Sequence, residues 1–157
     1  MLSGHYFNPD DHLETDAGRV FTAELNAAAF DRAHAELEDA LRKAPPGARL
    51  FVVVGVQGAG KTTWVQRNAE QLGPNSFFFE AALPRAVHRA RAVAIAKDCG
   101  VPAVAVWVQA SLEVALARNE LRRVDHRAPE VAIRSVNSIM EPPSTAEGFA
   151  DIKEVRV

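Results

Sequence analysis

The chain has 157 residues, 48% of them apolar, a formal net charge of −2 and one cysteine, Cys99. That length suits a single domain, 1–157, with a real core. No apolar run approaches the roughly 18 residues that a membrane span needs, and one cysteine excludes an internal disulfide. The sequence opens without a basic segment followed by an apolar one, and no Cys/His cluster has metal-ligand spacing. A reduced, cytoplasmic protein with no membrane partner is therefore expected, its Cys99 packed as a small hydrophobe at a helix end.

Charge is unevenly spread. Asp10, Asp11, Glu14, Asp16, Glu24, Asp31, Glu36, Glu38 and Asp39 crowd the first forty residues against Arg19 and Arg32 alone. Basic residues gather later, at Arg85, His88, Arg89 and Arg91, then at Arg118, Arg122, Arg123, Arg127 and Arg134. This pattern excludes a globally basic nucleic-acid surface but leaves room for a local phosphate groove.

In chain order, residues 5–7 read as a short strand entering the acidic turn Asn8-Pro9-Asp10-Asp11-His12. From 21 to 44, Leu25, Ala29, Ala33, Leu37 and Leu41 recur at helical spacing until Ala44-Pro45-Pro46-Gly47 stops the helix. The apolar run 50–54 predicts a buried strand, 61–72 a helix ended by Gly73-Pro74, and 77–80 a second buried strand. A helix over 84–98 stops at Gly100, a strand covers 101–108, and Ser111 caps a helix to about 123. Loop 124–128, a helix with Pro129 in its first turn and a last strand over 152–157 complete the chain. Uniformly apolar strands alternating with helices imply an α/β fold, its parallel sheet covered on both faces. Trp64 and Trp107 read as core residues, with Trp64 alternatively shaping a pocket. His12 and His34 read as surface or helix-packing residues.

Between the first two of these apolar strands lies Gly55-Val56-Gln57-Gly58-Ala59-Gly60-Lys61-Thr62-Thr63. It fits G-x-x-x-x-G-K-[ST], the phosphate-binding P-loop, in its expected strand–loop–helix setting. Glycines let successive N–H groups turn towards phosphate oxygens, and the helix N-terminus adds partial positive charge. Gly55, Gln57, Gly58, Ala59, Gly60, Lys61, Thr62 and Thr63 are the candidate nucleotide contacts. Lys61 would reach the β- and γ-phosphates of ATP, and the Thr62 hydroxyl would ligate Mg²⁺.

Larger ATPase motors need helical domains for which there is no room, and no guanine-reading Asn-Lys-x-Asp occurs. A small phosphotransferase remains. Arg118 and Arg122, four apart, would share a helical face and close over ATP as a lid. The same pair would equally suit a solvated face, bonded to Glu113 or Glu120. Glu80, at a strand end, has the chemistry to orient metal-bound water.

Three segments carry a resemblance. Ala117-Arg118-Asn119, Arg127-Ala128-Pro129-Glu130 and the tail from Glu141 to Phe149, which fits E-x-P-x-x-x-E-G-F, look like the polynucleotide 5′-hydroxyl kinases. The segment 84–102 is similar to the helix after that family's third strand, so the likeness runs in order over 50–157. Two departures stand out. Where the family's third strand ends in Asp-Asn-Thr-Asn, this chain has Glu80-Ala81-Ala82-Leu83; Phe79 to Arg85 is similar instead to zeta-toxin-like kinases, which phosphorylate a nucleotide sugar. The strand–helix unit that bears the family's catalytic aspartate is also missing after the P-loop helix. Residues 6–12, 18–21 and Ala33-His34 resemble that unit, at the N-terminus.

The resemblance implies a P-loop kinase with a five-stranded parallel sheet, helices on both faces, and its first two βα units in rearranged order. Residues 1–44 would be the relocated unit and 50–157 the core, lid and last strand. It implies Asp10 as general base, with Lys61, Arg118 and Arg122 completing the catalytic set, and Thr62 and Glu80 serving the metal. By turn chemistry alone, Asp10 and Asp11 would form a solvated turn on an accessory arm. The expected activity is transfer of the ATP γ-phosphoryl group to a polynucleotide 5′-hydroxyl. A small hydroxyl-bearing acceptor, or a non-catalytic ATP-binding module, are the alternatives; the oligomeric state is not legible.

Overall fold

The computed structural model describes residues 5–157. Its main sheet has five strands, all parallel: β1 (Tyr6–Phe7), β5 (Ser76–Glu80), β4 (Arg49–Val54), β6 (Ala103–Gln109) and β7 (Asp151–Arg156), in that spatial order. The short β1 pairs Tyr6 with Phe78 and Phe7 with Phe79, so the N-terminal segment forms the edge of the sheet. Between β1 and α1 (Ala23–Arg42) lie a 3₁₀ turn, Pro9–Leu13, and a small antiparallel hairpin, β2 (Glu14–Thr15) with β3 (Gly18–Arg19). That hairpin was not expected. The remaining helices are α2 (Lys61–Leu72), α3 (Ala86–Asp98), α4 (Leu112–Glu120) and α5 (Glu130–Ile139).

Alternation along the strands builds two cores. Leu50, Val52 and Val54 face one side with Phe77, Phe79, Ala103 and Ala105, packed against Ala33, Leu37 and Leu41 of α1 and Ala92, Val93 and Ala96 of α3. Phe51, Val53, Phe78, Val106 and Val108 face the other, against Trp64 and Val65 of α2 and Ala115 of α4, with Val136 of α5 beside them. Both faces are thereby covered, as a parallel sheet requires. Burying a Leu or Phe contributes roughly 1.5–3 kcal/mol, so Leu37, fully buried, ties the N-terminal helix firmly to the sheet. Cys99 sits half-buried after the last turn of α3, against the first core.

α1 begins where the Thr22 hydroxyl accepts the Leu25 N–H at 3.1 Å, an ordinary cap for the exposed first turn. The Glu141–Phe149 tail has a structural job. Glu141 accepts the Ala86 N–H at 3.1 Å at the start of α3. Glu147 holds the fully buried Arg89 by two bonds, 2.8 and 3.0 Å, while Arg89 also donates to the Leu83 carbonyl at 2.8 Å. Phe149 then enters the core. Among the described residues no helix is long and apolar enough to cross a membrane.

Candidate functional site

A cleft of about 570 Å³ opens at the carboxyl ends of β1, β4 and β5, the edge at which open α/β sheets bind ligands. Small-molecule sites span roughly 300–1,000 Å³. Gln57, Gly58, Gly60, Lys61, Thr62 and Thr63 line one side; Asp10, Glu80, Arg118 and Arg122 line it too. Ten of the expected site residues thus share one cavity. Gly55 and Ala59 lie behind it. A Cβ on Gly55 would come within 2.5 Å of the Val108 carbonyl oxygen, and Ala59 is fully buried.

The loop between β4 and α2 is shaped by close packing. Gly58 has φ +84°, and a Cβ there would lie 2.3 Å from the Ala115 carbonyl oxygen of α4. Only glycine fits. Gly60, at φ +108°, precedes the first turn of α2, whose first residues, Lys61 and Thr62, line the cleft. The Lys61 ammonium donates to the Gly55 and Val56 carbonyls at 2.8 and 3.1 Å. Burial pushes its pKa down, and the Glu80 and Asp10 carboxylates oppose that fall. A buried ammonium held by two backbone carbonyls beside a glycine cradle suits a polyanion, which would replace those carbonyls as its partner.

Thr62 donates its hydroxyl to both Glu80 oxygens, at 3.0 and 2.9 Å. Glu80 is itself buried and accepts the Tyr6 hydroxyl at 2.6 Å. A hydroxyl and a carboxylate in contact form a hard, all-oxygen donor set of the kind Mg²⁺ takes alongside phosphate oxygens. The residues present fit the cation that the sequence implied.

Asp10 lies in the 3₁₀ turn after β1. Asn8 caps that turn, its side-chain oxygen accepting the Asp10 N–H at 3.0 Å. Arg19 of β3 gathers the local acids: its guanidinium lies 4.0 Å from Asp10, 3.2 Å from Asp11 and 2.8 Å from Glu14. Burial raises the Asp11 carboxyl, Arg19 lowers it, and Asp10 adds to the rise. Three carboxylates meet one guanidinium, so this end of the cleft is negative.

Arg118 and Arg122 reach the cleft by different means than expected. α4 ends at Glu120, so Arg118 is helical while Arg122 sits in the following turn; the shared helical face does not exist. Near its end the Asn119 side chain bonds Ala128 twice, accepting its N–H at 2.9 Å and donating to its carbonyl at 2.7 Å, which folds the following turn back on the helix. Arg118 donates to the Ala59 carbonyl at 3.1 Å. No ion pair among the described residues engages the guanidinium of either one, and Glu120 lies 3.9 Å from Arg127 instead.

The turn after Arg122 touches the hairpin. Asp125 accepts the Arg19 N–H at 3.1 Å, and His126 bonds Glu14 at 3.1 Å. Gly18, at φ +97°, lets this happen, since a Cβ would sit 2.6 Å from the Asp125 carboxylate. Sequence reasoning missed Tyr6, Asn8, Arg19, Asn119 and His126 as site residues. The prior signals were indirect: Tyr6 lay in the strand read at 5–7, Asn8 in the acidic turn, Arg19 in the segment resembling the relocated unit, Asn119 in the helix after Ser111 and His126 in the loop 124–128. Trp64 is buried against Phe51 and Phe78, and His12 pairs at the surface with Glu36. No protein-family model matches the chain.

Proposed function

We propose that this chain is an ATP-dependent phosphotransferase of P-loop type, moving the γ-phosphoryl group to a hydroxyl acceptor. The observation that carries the reading is the convergence of Lys61, Thr62, Glu80, Asp10, Arg118 and Arg122 on one cleft. The glycine loop and the α2 N-terminus would cradle the triphosphate, and Lys61 would neutralise its β- and γ-oxygens. Thr62 and Glu80 would hold Mg²⁺, which when bound offsets charge between those phosphates. Asp10 takes the proton of the attacking hydroxyl; a new O–P bond forms, the bridging bond to the β-phosphate breaks, and ADP leaves. Arg118 and Arg122 offset charge on the equatorial oxygens. In this reading β1 and α1 are the strand–helix unit that other such kinases place after the P-loop helix. Supporting it is the spatial order, in which β1 sits beside β5 although it comes first in the chain.

Two acceptors suit this chemistry. The resemblance implies a polynucleotide 5′-hydroxyl. The charge of the acceptor end favours a small hydroxyl-bearing molecule without phosphates of its own, because Arg19 is already shared among Asp10, Asp11 and Glu14. Incubation with γ-labelled ATP, Mg²⁺ and either 5′-hydroxyl oligonucleotides or neutral and amine-bearing sugars separates them. Label on the sugars alone is the expected result; labelled oligonucleotide ends would restore the polynucleotide. Asp10→Asn should lower turnover by about 10²–10⁴-fold while sparing ATP affinity. ATP bound with no transfer and no hydrolysis would reduce the chain to a binding module.

A further inference from the structure

We propose that Tyr6 and Asn8 are positioning residues that tie the turn carrying Asp10 to the carboxylate of Glu80, so that base and metal ligand are held in one frame. The inference rests on the phosphotransferase reading. Asn8 uses both ends of its amide: its Oδ1 accepts the Asp10 N–H at 3.0 Å, and its Nδ2 donates to the Tyr6 hydroxyl at 3.0 Å and reaches Glu80 Oε2 at 3.5 Å. Tyr6 in turn donates to Glu80 Oε1 at 2.6 Å, and Glu80 also accepts the Thr62 hydroxyl, at 3.0 and 2.9 Å. An unbroken chain of hydrogen bonds therefore runs from the backbone of Asp10 to the first turn of α2.

Arg19 and the buried Pro9 and Leu13 anchor the same turn; the Asn8 and Tyr6 bonds are what join it to Glu80. β1 is two residues long, and a strand so short has few ladder bonds with which to fix the adjoining turn. A simple turn cap would need only the Asn8 oxygen; here the amide nitrogen is also committed, towards Tyr6 and Glu80. A phenol is a protonated donor at neutral pH, and the Tyr6 hydroxyl directs that proton at Glu80. Hydrogen bonds of this kind fix which carboxylate lone pairs face a cation, and their loss typically costs about 10–100-fold in metal affinity or activity.

The test compares wild type, Tyr6→Phe, Asn8→Ala and Asn8→Ser, with thermal melts to confirm folding. Three quantities are read: binding of a fluorescent ATP analogue without metal, Mn²⁺ binding to the ADP complex by electron paramagnetic resonance, and kcat apart from KM. Tyr6→Phe is expected to weaken Mn²⁺ binding about 10-fold with metal-free nucleotide affinity unchanged. Asn8→Ala should leave nucleotide affinity and the KM for ATP alone while kcat falls about 10-fold or more. Asn8→Ser keeps the cap acceptor but not the amide donor. It should behave as Asn8→Ala does, and wild-type kcat in Asn8→Ser would reduce Asn8 to a cap and overturn the proposal. Unchanged Mn²⁺ binding in Tyr6→Phe would overturn it equally. Failure of the wild type to bind nucleotide would instead overturn the phosphotransferase reading beneath.

Discussion

Arg118 and Arg122 are chemically identical and four residues apart, yet they differ in what they hold. Arg118 bonds the Ala59 carbonyl of the glycine loop, whereas the guanidinium of Arg122 has no such tie among the described residues and lines the cleft. Arg122→Ala should therefore leave stability within about 0.5 kcal/mol while lowering transfer by about 10²–10³-fold, as loss of one transition-state donor does. Arg118→Ala should lower both. Thermal melts beside transfer kinetics check the contrast. Gly58 gives a sharper case. With its φ of +84° and Ala115 directly behind it, Gly58→Ala has nowhere to put a methyl group. Overpacking of this sort costs about 1–3 kcal/mol, and the displaced loop should no longer bind nucleotide, as calorimetric titration would show.

At the scale of elements, β4 and β5 were legible because they are continuous apolar runs, Leu50 to Val54 and Phe77 to Phe79. The glycine loop was equally legible, since backbone demands at Gly58 and Gly60 leave a fixed spacing. The hairpin of β2 and β3 was not. Its four residues, Glu14, Thr15, Gly18 and Arg19, carry no apolar alternation, and polar bonds hold them, some local, Thr15 to Gly18 and Arg19 to Glu14, and some tertiary, Arg19 to Asp125 and His126 to Glu14. The end of α4 was misplaced for a similar reason, because the turn that follows is held by Asn119 bonding a residue nine positions on. Asn119→Ala should thus free residues 120–128, with amide exchange there quickening and the KM for ATP rising. The cost should be about 1–3 kcal/mol, the penalty for stranding buried backbone groups. His34 of α1 offers a test by pH. It is buried against Phe79, donates to the Phe30 carbonyl, and burial lowers its pKa below 6.5. Below that unfolded value the denatured chain binds a proton that the folded one refuses, so stability present at pH 7 is lost as pH falls. His34→Gln should flatten the decline of Tm below pH 6.5.

Across the whole molecule, the segment from β1 through α1 is part of the fold's core. Ala33, Leu37 and Leu41 supply one wall of a core whose other residues come from β4, β5 and α3. A chain beginning at Pro45 would expose Phe77 and Phe79 and leave the β5 edge unpaired. It should lose cooperative thermal unfolding and bind a hydrophobic dye. The far end of the chain is anchored by the Arg89–Glu147 pair. Removing one partner of a buried pair costs about 3–5 kcal/mol, so Glu147→Gln should lower Tm well beyond any surface substitution. A neutral pair, Arg89→Met with Glu147→Leu, should recover much of the loss.

The hairpin also has a mechanical meaning. Through Arg19 it grips Asp10 and Asp11, and through the Arg19 amide and Glu14 it grips the turn beyond Arg122. Opposite banks of the cavity are thereby fastened by one small clasp. Asp125 and His126 are the two points at which the turn beyond Arg122 meets that clasp, so substituting either should loosen one bank from the other.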